Sequence, residues 1–402
     1  MTLIECFNEA HIDNIAACLR LKPDKMILVG NADEMRIPVE RYRKLLHQRG
    51  QHTHISMCNV QGKNMTELYA ALDQLIRQED ACTIDLTGGD EPIILALGAV
   101  LAGLDTTRRQ KIHIEKYDMK TRRVRDCTSN DPVSCCKSAT LTVDEIIFLH
   151  GGCIYPESYQ PPMDCTARDL ERLWRMVSEN PQDWNRELMM LNEFESRSES
   201  RMDVFLQLDD LWSIANFEQK AAVVRNLLDR FERLGIITNR SNGETLRYTY
   251  NSHILRYCTQ KAGNMLEVKT LLEGRAVTDK GEPCFSDCRM GVGIDWDGYI
   301  GESLIREPET RNEIDVVLMH GLTPLFISCK NGKVDEEELY KLNTVASRFG
   351  GAYARKMLVA TDLDMRNRAL IQRAWDMDIL LVTDAAELSR EEWARAFKLA
   401  LK

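Results

Sequence analysis

Residues 312–332 read NEIDVVLMHGLTPLFISCKNG, in which two apolar runs flank a turn at Gly321. Runs of this length around such a turn predict an antiparallel hairpin with both strands buried. Two charged side chains interrupt the apolar pattern, Asp315 in the first strand and Lys330 at the end of the second. A turn centred near Gly321 places Asp315 opposite the segment from Ser328 to Lys330. A carboxylate and an ammonium group therefore converge at one end of the hairpin.

The alternation of side chains along each strand adds to this prediction. Phe326, Ser328 and Lys330 share one face of the second strand, and Asp315 is out of phase with the apolar residues around it. Those residues are Ile314, Val316 and Leu318. An ion pair buried only for stability gains little, because desolvation offsets most of the attraction. A site in which Asp315 holds a divalent cation and Lys330 orients or activates the attacking water explains the pair better than an edge ion pair does.

The segment around this hairpin resembles the PD-(D/E)xK nuclease fold, whose core runs α-β-β-β-α-β. Over roughly residues 262–383 the sequence predicts a helix, an alternating strand, the hairpin, a second helix and a further strand, in that order. The resemblance implies that Asp315 binds metal and that Lys330 assists hydrolysis. In the family the first helix often donates a further carboxylate, and the matching residue here is Glu267.

Ser328 departs from the family pattern, which places a glutamate or aspartate two residues before the lysine. Serine can hold a metal-bound water but carries no charge. One replacement is Glu338, because it extends the inward stripe of the following helix toward the site. In the second alternative no carboxylate replaces it: the cation is bound by Glu267, Asp315 and the carbonyl of Cys329, and water completes its shell.

The first 150 residues alternate short apolar strands with amphipathic helices, which predicts a doubly wound α/β layer. The expected strands are 3–7, 26–30, 54–58, 81–86 and 111–116, and the expected helices are 11–20, 38–49, 63–78 and 91–104. In open sheets of this kind, ligands bind beyond the carboxyl ends of the strands.

Three of these strand ends carry small or polar residues. They are Asn8 after the first strand, Gly30, Asn31 and Ala32 after the second, and Thr87, Gly88, Gly89, Asp90 and Glu91 after the fourth. Glycines let backbone N–H groups turn toward an anion, and the helix that follows adds its positive N-terminus. A tight turn with an N-cap would explain the same glycines. The G-x-G-x-x-G fingerprint is absent from the first turn, which disfavours a Rossmann oxidoreductase.

This N-terminal segment resembles the CARF domains, which are CRISPR-associated Rossmann-like sensors of cyclic oligoadenylate. In that family the loops after the first, second and fourth strands form the nucleotide site. The resemblance therefore implies that the residues named at these three strand ends bind the cyclic nucleotide.

Helical periodicity dominates from residue 153 to about 253, where an amphipathic helix ends at Gly235 and a hairpin with an Asn242-Gly243 turn follows. A helix followed by a hairpin is typical of a winged helix. Acidic side chains on the helix that would enter DNA favour a structural connector over a DNA reader.

The chain as a whole is predicted to be an α/β protein of three parts. They are a Rossmann-like CARF domain (1–152), a winged-helix-like connector (153–253) and a PD-(D/E)xK nuclease domain (254–402). This arrangement resembles the CRISPR ancillary nucleases of type III systems. The resemblance implies a homodimer that is activated allosterically by cyclic tetra-adenylate and uses Mn²⁺ or Mg²⁺. The implied substrates are single-stranded DNA or RNA, with nicking of supercoiled duplex DNA as a further activity.

Composition limits the alternatives. The net charge of −10 means that any binding of nucleic acid must be local. No apolar run approaches the roughly 20 residues that span a bilayer. The chain has no basic leader, and its thirteen cysteines are scattered. Both features favour a reducing cytoplasm. The competing hypothesis is a ligand-sensing regulator whose nuclease fold is inactive and binds nucleic acid or a partner, and Ser328 is the residue that favours it.

Overall fold

The computed structural model describes the whole chain except residues 120, 129–138, 157, 159, 160, 243, 244 and 299–310. The Gly243 half of the predicted wing turn therefore lies outside the described residues. The described part contains no helix with both the length and the apolar character needed to cross a bilayer. Its cysteines are all free thiols.

The N-terminal domain is a doubly wound sheet with strand order β3-β2-β1-β4-β5-β6. The first five strands along the chain run parallel, and β6 is antiparallel to β5. Its elements are β1 (Thr2–Cys6), α1 (Asp13–Leu21), β2 (Lys25–Gly30), α2 (Ala32–Gln48), β3 (His54–Asn59), α3 (Met65–Gln78), β4 (Cys82–Asp85), α4 (Glu91–Gly103), α5 (Thr106–Arg109), β5 (Ile112–Asp118), β6 (Arg123–Asp126) and α6 (Val143–Leu149). The carboxyl ends of β2, β1 and β4 thus lie side by side, as the doubly wound pattern predicts.

Helix α2 begins earlier than the sequence indicated. A start at Pro38 was expected because proline favours the first turn of a helix. The helix instead starts at Ala32, where the side chain of Asn31 accepts a hydrogen bond from the backbone N–H of Asp33. The N-cap therefore determined the start, and the helix accommodates a proline in its interior at the cost of one backbone hydrogen bond.

The middle of the chain has the winged-helix order of elements. They are β7 (Cys153–Ile154), α7 (Ala167–Glu179), α8 (Pro181–Glu195), β8 (Asp203–Gln207), α9 (Leu208–Leu211), α10 (Phe217–Leu234), β9 (Ile237–Asn242), β10 (Thr245–Tyr250) and α11 (His253–Gln260). The predicted hairpin is present as β9 and β10, and β8 joins it in a three-stranded sheet of order β8-β10-β9. The buried face of α10 packs into the same core as α12 of the next domain.

The C-terminal domain is built on a six-stranded sheet of order β17-β16-β15-β14-β13-β7. Its remaining elements are α12 (Asn264–Ala276), β11 (Thr278–Asp279), β12 (Glu282–Pro283), β13 (Asp287–Asp295), β14 (Arg311–His320), β15 (Thr323–Lys330), α13 (Glu336–Gly350), β16 (Arg355–Ala360), α14 (Arg368–Asp376), β17 (Ile379–Val382) and α15 (Arg390–Ala400). A 3-10 turn at Gly351–Tyr353 follows α13. The α-β-β-β-α-β order expected from the sequence is therefore present. Five strands were not predicted: β6 and β8 in the other domains, and here β7, β11 and β12, which are only two residues long. Strand β7 also lies far from its partner β13 in sequence.

The two faces of this sheet are buried in different cores. Leu325, Ile327 and Cys329 of β15 pack with α12, α15 and the middle domain. Phe326 lies on the other face, in a core shared with α13, α14 and the helices α1 and α2 of the N-terminal domain. The alternation predicted for this strand is therefore confirmed, and the sheet is covered by a different domain on each side.

The prediction that Ile314 shares a face with Val316 is wrong. Val316 lies in the core beside α12, whereas Ile314 lies in the core beside α13. The neighbouring strand changes face at the same level, because Met290 and Val292 also belong to different cores. Gly291 stands between those two residues with φ +57°, a left-handed conformation that glycine adopts readily. Both strands therefore break their alternation at the position of Asp315.

Candidate active site and ligand-binding edge

Strands β14 and β15 separate at Asp315. Their pairing is regular from the pair His320–Thr323 to the pair Val316–Ile327, where it ends. Beyond it, β15 pairs only with β16, as far as Lys330. The carboxylate of Asp315 takes the place of a strand carbonyl, because its Oδ2 accepts the backbone N–H of Cys329 at 2.6 Å.

A cavity of about 250 Å³ opens where the two strands separate. Ten residues line it: Asn312, Glu313, Ile314 and Asp315 from β14, Ser328 and Lys330 from β15, and Glu338, Lys341, Leu342 and Val345 from α13. The structure thus brings four of the predicted site residues to one cavity: Asp315, Ser328, Lys330 and Glu338.

Glu267 lies on α12, which covers the opposite face of the sheet from α13. It is almost completely buried, and its carboxylate accepts a hydrogen bond of 3.0 Å from the hydroxyl of Tyr257. Glu267 does not line the cavity, but the charge of Asp315 acts on its carboxyl group. Tyr257 was not singled out in the sequence, because nothing local indicates that α11 returns to this glutamate.

Burial raises the cost of ionising both Glu267 and Asp315, and the charge of Glu313 adds to this cost for each of them. Burial, and then the charge of Asp315, raises the pKa of Glu267 to about 8. Burial also raises the pKa of Asp315, although the N–H of Cys329, the charge of Lys330 and the hydroxyl of Ser328 all act to lower it. Without a cation, the pair therefore carries a proton in the neutral range.

Lys330 is an ammonium group held by Glu338. Its Nζ lies 2.8 Å from Glu338 Oε2, and Glu338 Oε1 lies 3.7 Å from Lys341. Burial acts to lower the pKa of Lys330, but the hydrogen bond to Glu338 and the charge of Asp315 outweigh it, so that the pKa is raised. Lys330 is therefore a fixed positive charge and hydrogen-bond donor rather than a base.

Ser328 supports Asp315 directly. Its hydroxyl donates to Asp315 Oδ2 at 3.2 Å, the same oxygen that accepts the N–H of Cys329. Among the described residues no donor bonds to Asp315 Oδ1, which leaves that oxygen for a ligand. The thiol of Cys329 points the other way, and its Sγ lies 3.5 Å from the hydroxyl of Thr270.

The PD-(D/E)xK resemblance implies a divalent cation, and the donor chemistry here fits one. Asp315 and Glu267 have raised pKa values because their negative charges are poorly compensated. Carboxylate oxygens supplemented by water suit Mg²⁺ or Mn²⁺. Within the described part of the chain, no three His, Cys, Asp or Glu side chains form a ready-made cage. A cation held by two carboxylates would therefore keep most of its water shell.

A further residue that sequence analysis missed is Asn331, directly after Lys330. Its amide nitrogen donates to Asn185 Oδ1 at 2.8 Å and to the carbonyl of Ala262 at 3.2 Å, and its Oδ1 accepts from the hydroxyl of Thr361 at 2.9 Å. Asn331 therefore joins the end of β15 to helix α8, to the segment before α12, and to the end of β16.

In the N-terminal domain, the loops after β1 and β4 touch each other. Gly89 has φ +105°, and a Cβ built on it would lie 2.5 Å from the Cβ of Cys6. A Cβ built on Gly88 would lie 2.9 Å from the amide nitrogen of Asn8. Close packing therefore favours glycine at both positions, and the turn places Thr87 to Glu91 against Asn8.

The loop after β2 lies next to them. Gly30 packs against Phe7, since a Cβ on Gly30 would lie 2.9 Å from Phe7 Cβ. Asn31 caps α2, and the backbone N–H of Ala32 donates to Asn59 Oδ1 at 3.2 Å. Asn59 ends β3 and extends this edge by one strand, although its exposed position gave no signal in the sequence.

Two features of the β4 loop bear on ligand chemistry. Asp90 is the N-cap of α4 but makes no capping hydrogen bond, so the first N–H groups of the helix remain available to an anion. Beneath the loop, Asp85 is fully buried and its Oδ1 accepts from both the N–H and the hydroxyl of Thr87. Glu5 is paired with Asp85 across β1 and β4 and is also fully buried. Burial raises the pKa of both carboxyl groups, to about 6 for Asp85.

Comparison with known proteins agrees with this architecture. Residues 258–395 match the sequence model of a family described as Card1-like, endonuclease domain. This range contains Glu267, Asp315, Ser328 and Lys330, so all four of these predicted site residues lie within the part of the chain that matches the family. No curated protein matches the chain in sequence.

Two solved structures share the fold over nearly the whole chain, and a third is similar in part. Protein VC1899 from Vibrio cholerae has a TM-score of 0.70 at 18% identity, over 99% of this chain and 97% of its own. Can2 from Sulfobacillus thermosulfidooxidans, in complex with cyclic tetra-adenylate, has a TM-score of 0.65 at 16% identity, over 100% of this chain and 99% of its own. A type III CRISPR defence DNA nuclease activated by cyclic oligoadenylate has a TM-score of 0.48 at 16% identity, over 90% of this chain and 46% of its own. The first two of these structures therefore confirm the predicted α/β fold over the whole chain.

In the metal-free protein, Glu267→Gln should remove a pH-dependent loss of stability. Folding raises the pKa of Glu267 from 4.5 to about 8, so the folded state binds a proton more tightly than the unfolded chain does. Its contribution to stability is therefore complete below pH 4.5 and is lost as the pH rises through about 8. Glutamine keeps an acceptor for Tyr257 but does not titrate. Urea unfolding in a chelator between pH 6 and 8.5 should show a steeper decline for the wild type, and Glu337→Gln, at an exposed carboxylate, should keep the wild-type slope. Equal slopes for wild type and Glu267→Gln would contradict this account.

Proposed function

We propose that the protein is a nuclease whose divalent-cation-dependent cleavage is switched on when its N-terminal domain binds a cyclic oligoadenylate, specifically cyclic tetra-adenylate. The observation that carries the proposal is the cavity at the separation of β14 and β15. It joins a carboxylate with a raised pKa, Asp315, to a fixed ammonium group, Lys330, within the part of the chain that matches an endonuclease domain.

The residues of the cavity divide the chemistry between them. Asp315, through Oδ1, and Glu267 would hold Mn²⁺ or Mg²⁺. When bound, such an ion polarises the scissile phosphate and lowers the pKa of a coordinated water. Lys330 stays protonated, so it stabilises negative charge on the phosphate and orients the water rather than removing a proton. Glu338 holds Lys330 in place, and Ser328 and the N–H of Cys329 hold Asp315.

The proposed substrates are single-stranded DNA or RNA, with nicking of supercoiled duplex DNA. An acidic protein must bind these locally, and the segment after β16 carries two exposed arginines beside the site. The N–H of Thr361 donates to the carbonyl of Lys330 at 3.1 Å, which fixes this loop beside the active lysine. Arg366, farther along this loop and 3.0 Å from Asp364 Oδ1, and Arg368, the first residue of α14, are both exposed. A strand lying along this edge would place its phosphates near both the arginines and Lys330.

The loops after β1, β2 and β4 together form what we call the ligand-binding edge. This edge is chemically suited to a cyclic oligonucleotide. Can2, which shares the fold, binds cyclic tetra-adenylate. In this chain the uncapped start of α4 presents N–H groups to phosphate, and Asn8 and Asn31 present amides beside it. We assign these residues and their loops to the activator.

A homodimer would place two copies of this edge together. Helices α3 and α4 expose a continuous apolar surface next to the β4 loop, made up of Met65, Tyr69, Ile94, Leu95, Gly98, Ala99 and Ala102. Leu95 is 67% exposed. A Cβ on Gly98 would meet no atom within 4 Å, so packing within the chain does not require glycine there. Glycine costs about 1 kcal/mol inside a helix. Close approach of a second copy would account for both its presence and the exposed leucine.

Lys330→Ala should reduce ligand-activated cleavage at least about 100-fold, because the fixed positive charge at the phosphate is lost. The assay follows labelled single-stranded DNA, single-stranded RNA and supercoiled plasmid with Mn²⁺ and cyclic tetra-adenylate. Lys398→Ala removes an exposed lysine from α15 and should cleave as the wild type does. Full activity of Lys330→Ala would refute the assigned role. A wild type that binds ligand but cuts none of the substrates would instead favour the inactive regulator.

Ser328→Ala should weaken Mn²⁺ binding about 10-fold, because Asp315 loses a hydrogen bond that stabilises its ionised form. Titration calorimetry at pH 7 measures the affinity, and Ser347→Ala, at an exposed position of α13, is the matched control. Unchanged affinity in Ser328→Ala would show that the serine does not support the carboxylate.

Leu95→Glu should convert the dimer to a monomer, because a charge would be buried at the centre of the α3–α4 surface. Analytical ultracentrifugation at micromolar concentration measures the mass. Leu399→Glu introduces the same charge at an exposed leucine of α15 and should remain dimeric. A wild-type monomer, or a dimeric Leu95→Glu, would exclude this surface as the interface.

A further inference from the structure

A hydrogen bond connects the N-terminal domain to the nuclease domain beside the ligand-binding edge. The hydroxyl of Tyr353 donates to Asp13 Oδ1 at 2.6 Å, across 340 residues of sequence. Asp13 opens helix α1 and is almost completely buried, whereas Tyr353 is half-buried in the 3-10 turn after α13. A buried carboxylate depends strongly on each of its donors, because water does not replace one that is lost.

The other oxygen of Asp13 faces the ligand loops. Its Oδ2 accepts the amide N–H of Asn8 at 3.0 Å. Asn8 is itself fixed by the backbone, since its Oδ1 accepts from the N–H of Ala10 at 2.9 Å. The same Asn8 amide lies against Gly88 of the β4 loop. One carboxylate therefore bridges a side chain of the proposed activator site and a side chain of the nuclease domain.

At its other end, α13 reaches the active lysine. The helix runs from Glu336 to Gly350, roughly 22 Å at 1.5 Å per residue, and the 3-10 turn Gly351–Tyr353 that follows it ends with Tyr353. In its first turn, Glu338 binds Lys330 at 2.8 Å. Its inner face is buried along its whole length, by Leu339, Leu342, Val345, Ala346 and Phe349. A helix packed in this way moves as a unit, so a displacement at Tyr353 reaches Glu338.

We infer that Asp13 and Tyr353 are positioning residues that transmit occupancy of the ligand-binding edge through α13 to Lys330. The inference rests on the proposed function and specifies how the two sites are coupled. A ligand that engages the Asn8 amide changes the donors of Asp13. The carboxylate then shifts its hold on Tyr353, and α13 changes the position of Glu338 relative to Lys330. The coupling needs a contact that changes when the ligand binds and a rigid element between the two sites. The Asn8–Asp13 hydrogen bond is the proposed contact, and α13 is the rigid element.

The test variant is Tyr353→Phe in the full-length protein, which removes one hydroxyl and keeps the ring. Ligand binding should persist, with a Kd for cyclic tetra-adenylate within about fivefold of wild type, because Tyr353 lies outside the loops. Cleavage with Mn²⁺ but without ligand should equal that of wild type. Activation by ligand should fall at least about tenfold. A purely structural role would lower cleavage with and without ligand alike.

Tyr340→Phe is the matched control, since Tyr340 lies exposed on the same helix with its ring against Arg373. It should keep both ligand binding and activation. Asp13→Asn provides a second variant, because it keeps the shape of the side chain but removes the charge that binds Tyr353 most strongly. It should show the same selective loss of activation.

Hydrogen exchange gives a readout that does not depend on cleavage. Adding cyclic tetra-adenylate to the wild type should change the exchange of peptides from residues 336–353, and this change should be absent in Tyr353→Phe. The coupling is overturned if the variant is activated fully, if it loses ligand binding, or if the wild type binds ligand without a change in these peptides. A wild type that does not bind the ligand at all overturns the proposed function and the coupling together. A wild type that binds and shows the exchange change but cuts nothing refutes only the nuclease activity.

Discussion

The hydrogen bond from the backbone N–H of Cys329 to the carboxylate of Asp315 is the constraint on which the C-terminal site depends. In an uninterrupted sheet this N–H would bond to a carbonyl of β14. Here the side chain of Asp315 accepts it at 2.6 Å, and the ladder between the two strands ends at the pair Val316–Ile327. The strands separate, a cavity opens between them, and the aspartate is held at its mouth. Gly291 on β13 makes the same level of the sheet irregular on the other side, so the break extends over three strands.

The electrostatics of the cavity follow from this arrangement. Two carboxyl groups, Glu267 and Asp315, have raised pKa values because burial disfavours their charged forms, and the charge of Asp315 adds to this effect at Glu267. Lys330 does not neutralise them, since Glu338 binds it first. The folded protein therefore holds negative charge that a divalent cation would neutralise, and it holds a separate cation for a phosphate. Such a site lowers the stability of the metal-free protein at alkaline pH, which is a common feature of functional sites.

Ser328 fits this arrangement without a carboxylate of its own. A third acid at this position would add repulsion to a pair that already retains a proton. A hydroxyl instead donates to Asp315 Oδ2 and leaves Oδ1 for a ligand. The sheet also separates the two neighbours of the site: α12 and the middle domain cover one face, while α13 and the N-terminal domain cover the other. Events at the ligand-binding edge therefore reach the cavity from the α13 side.

The sequence by itself determined the elements and their order, since apolar periodicity, caps and turns are local signals. It predicted the doubly wound sheet, the hairpin with Asp315 opposite Ser328, and the three loops at one edge. It misplaced the start of α2, because the Asn31 cap outweighed the proline, and it put Ile314 on the wrong face, because β13 and β14 both break their alternation at the level of Gly291 and Asp315. Only the tertiary structure revealed Tyr257 beside Glu267, Asn331 between three segments, and Tyr353 on Asp13. These contacts join residues that are distant in sequence or lie on separately folded elements, and no local pattern encodes how such elements pack together.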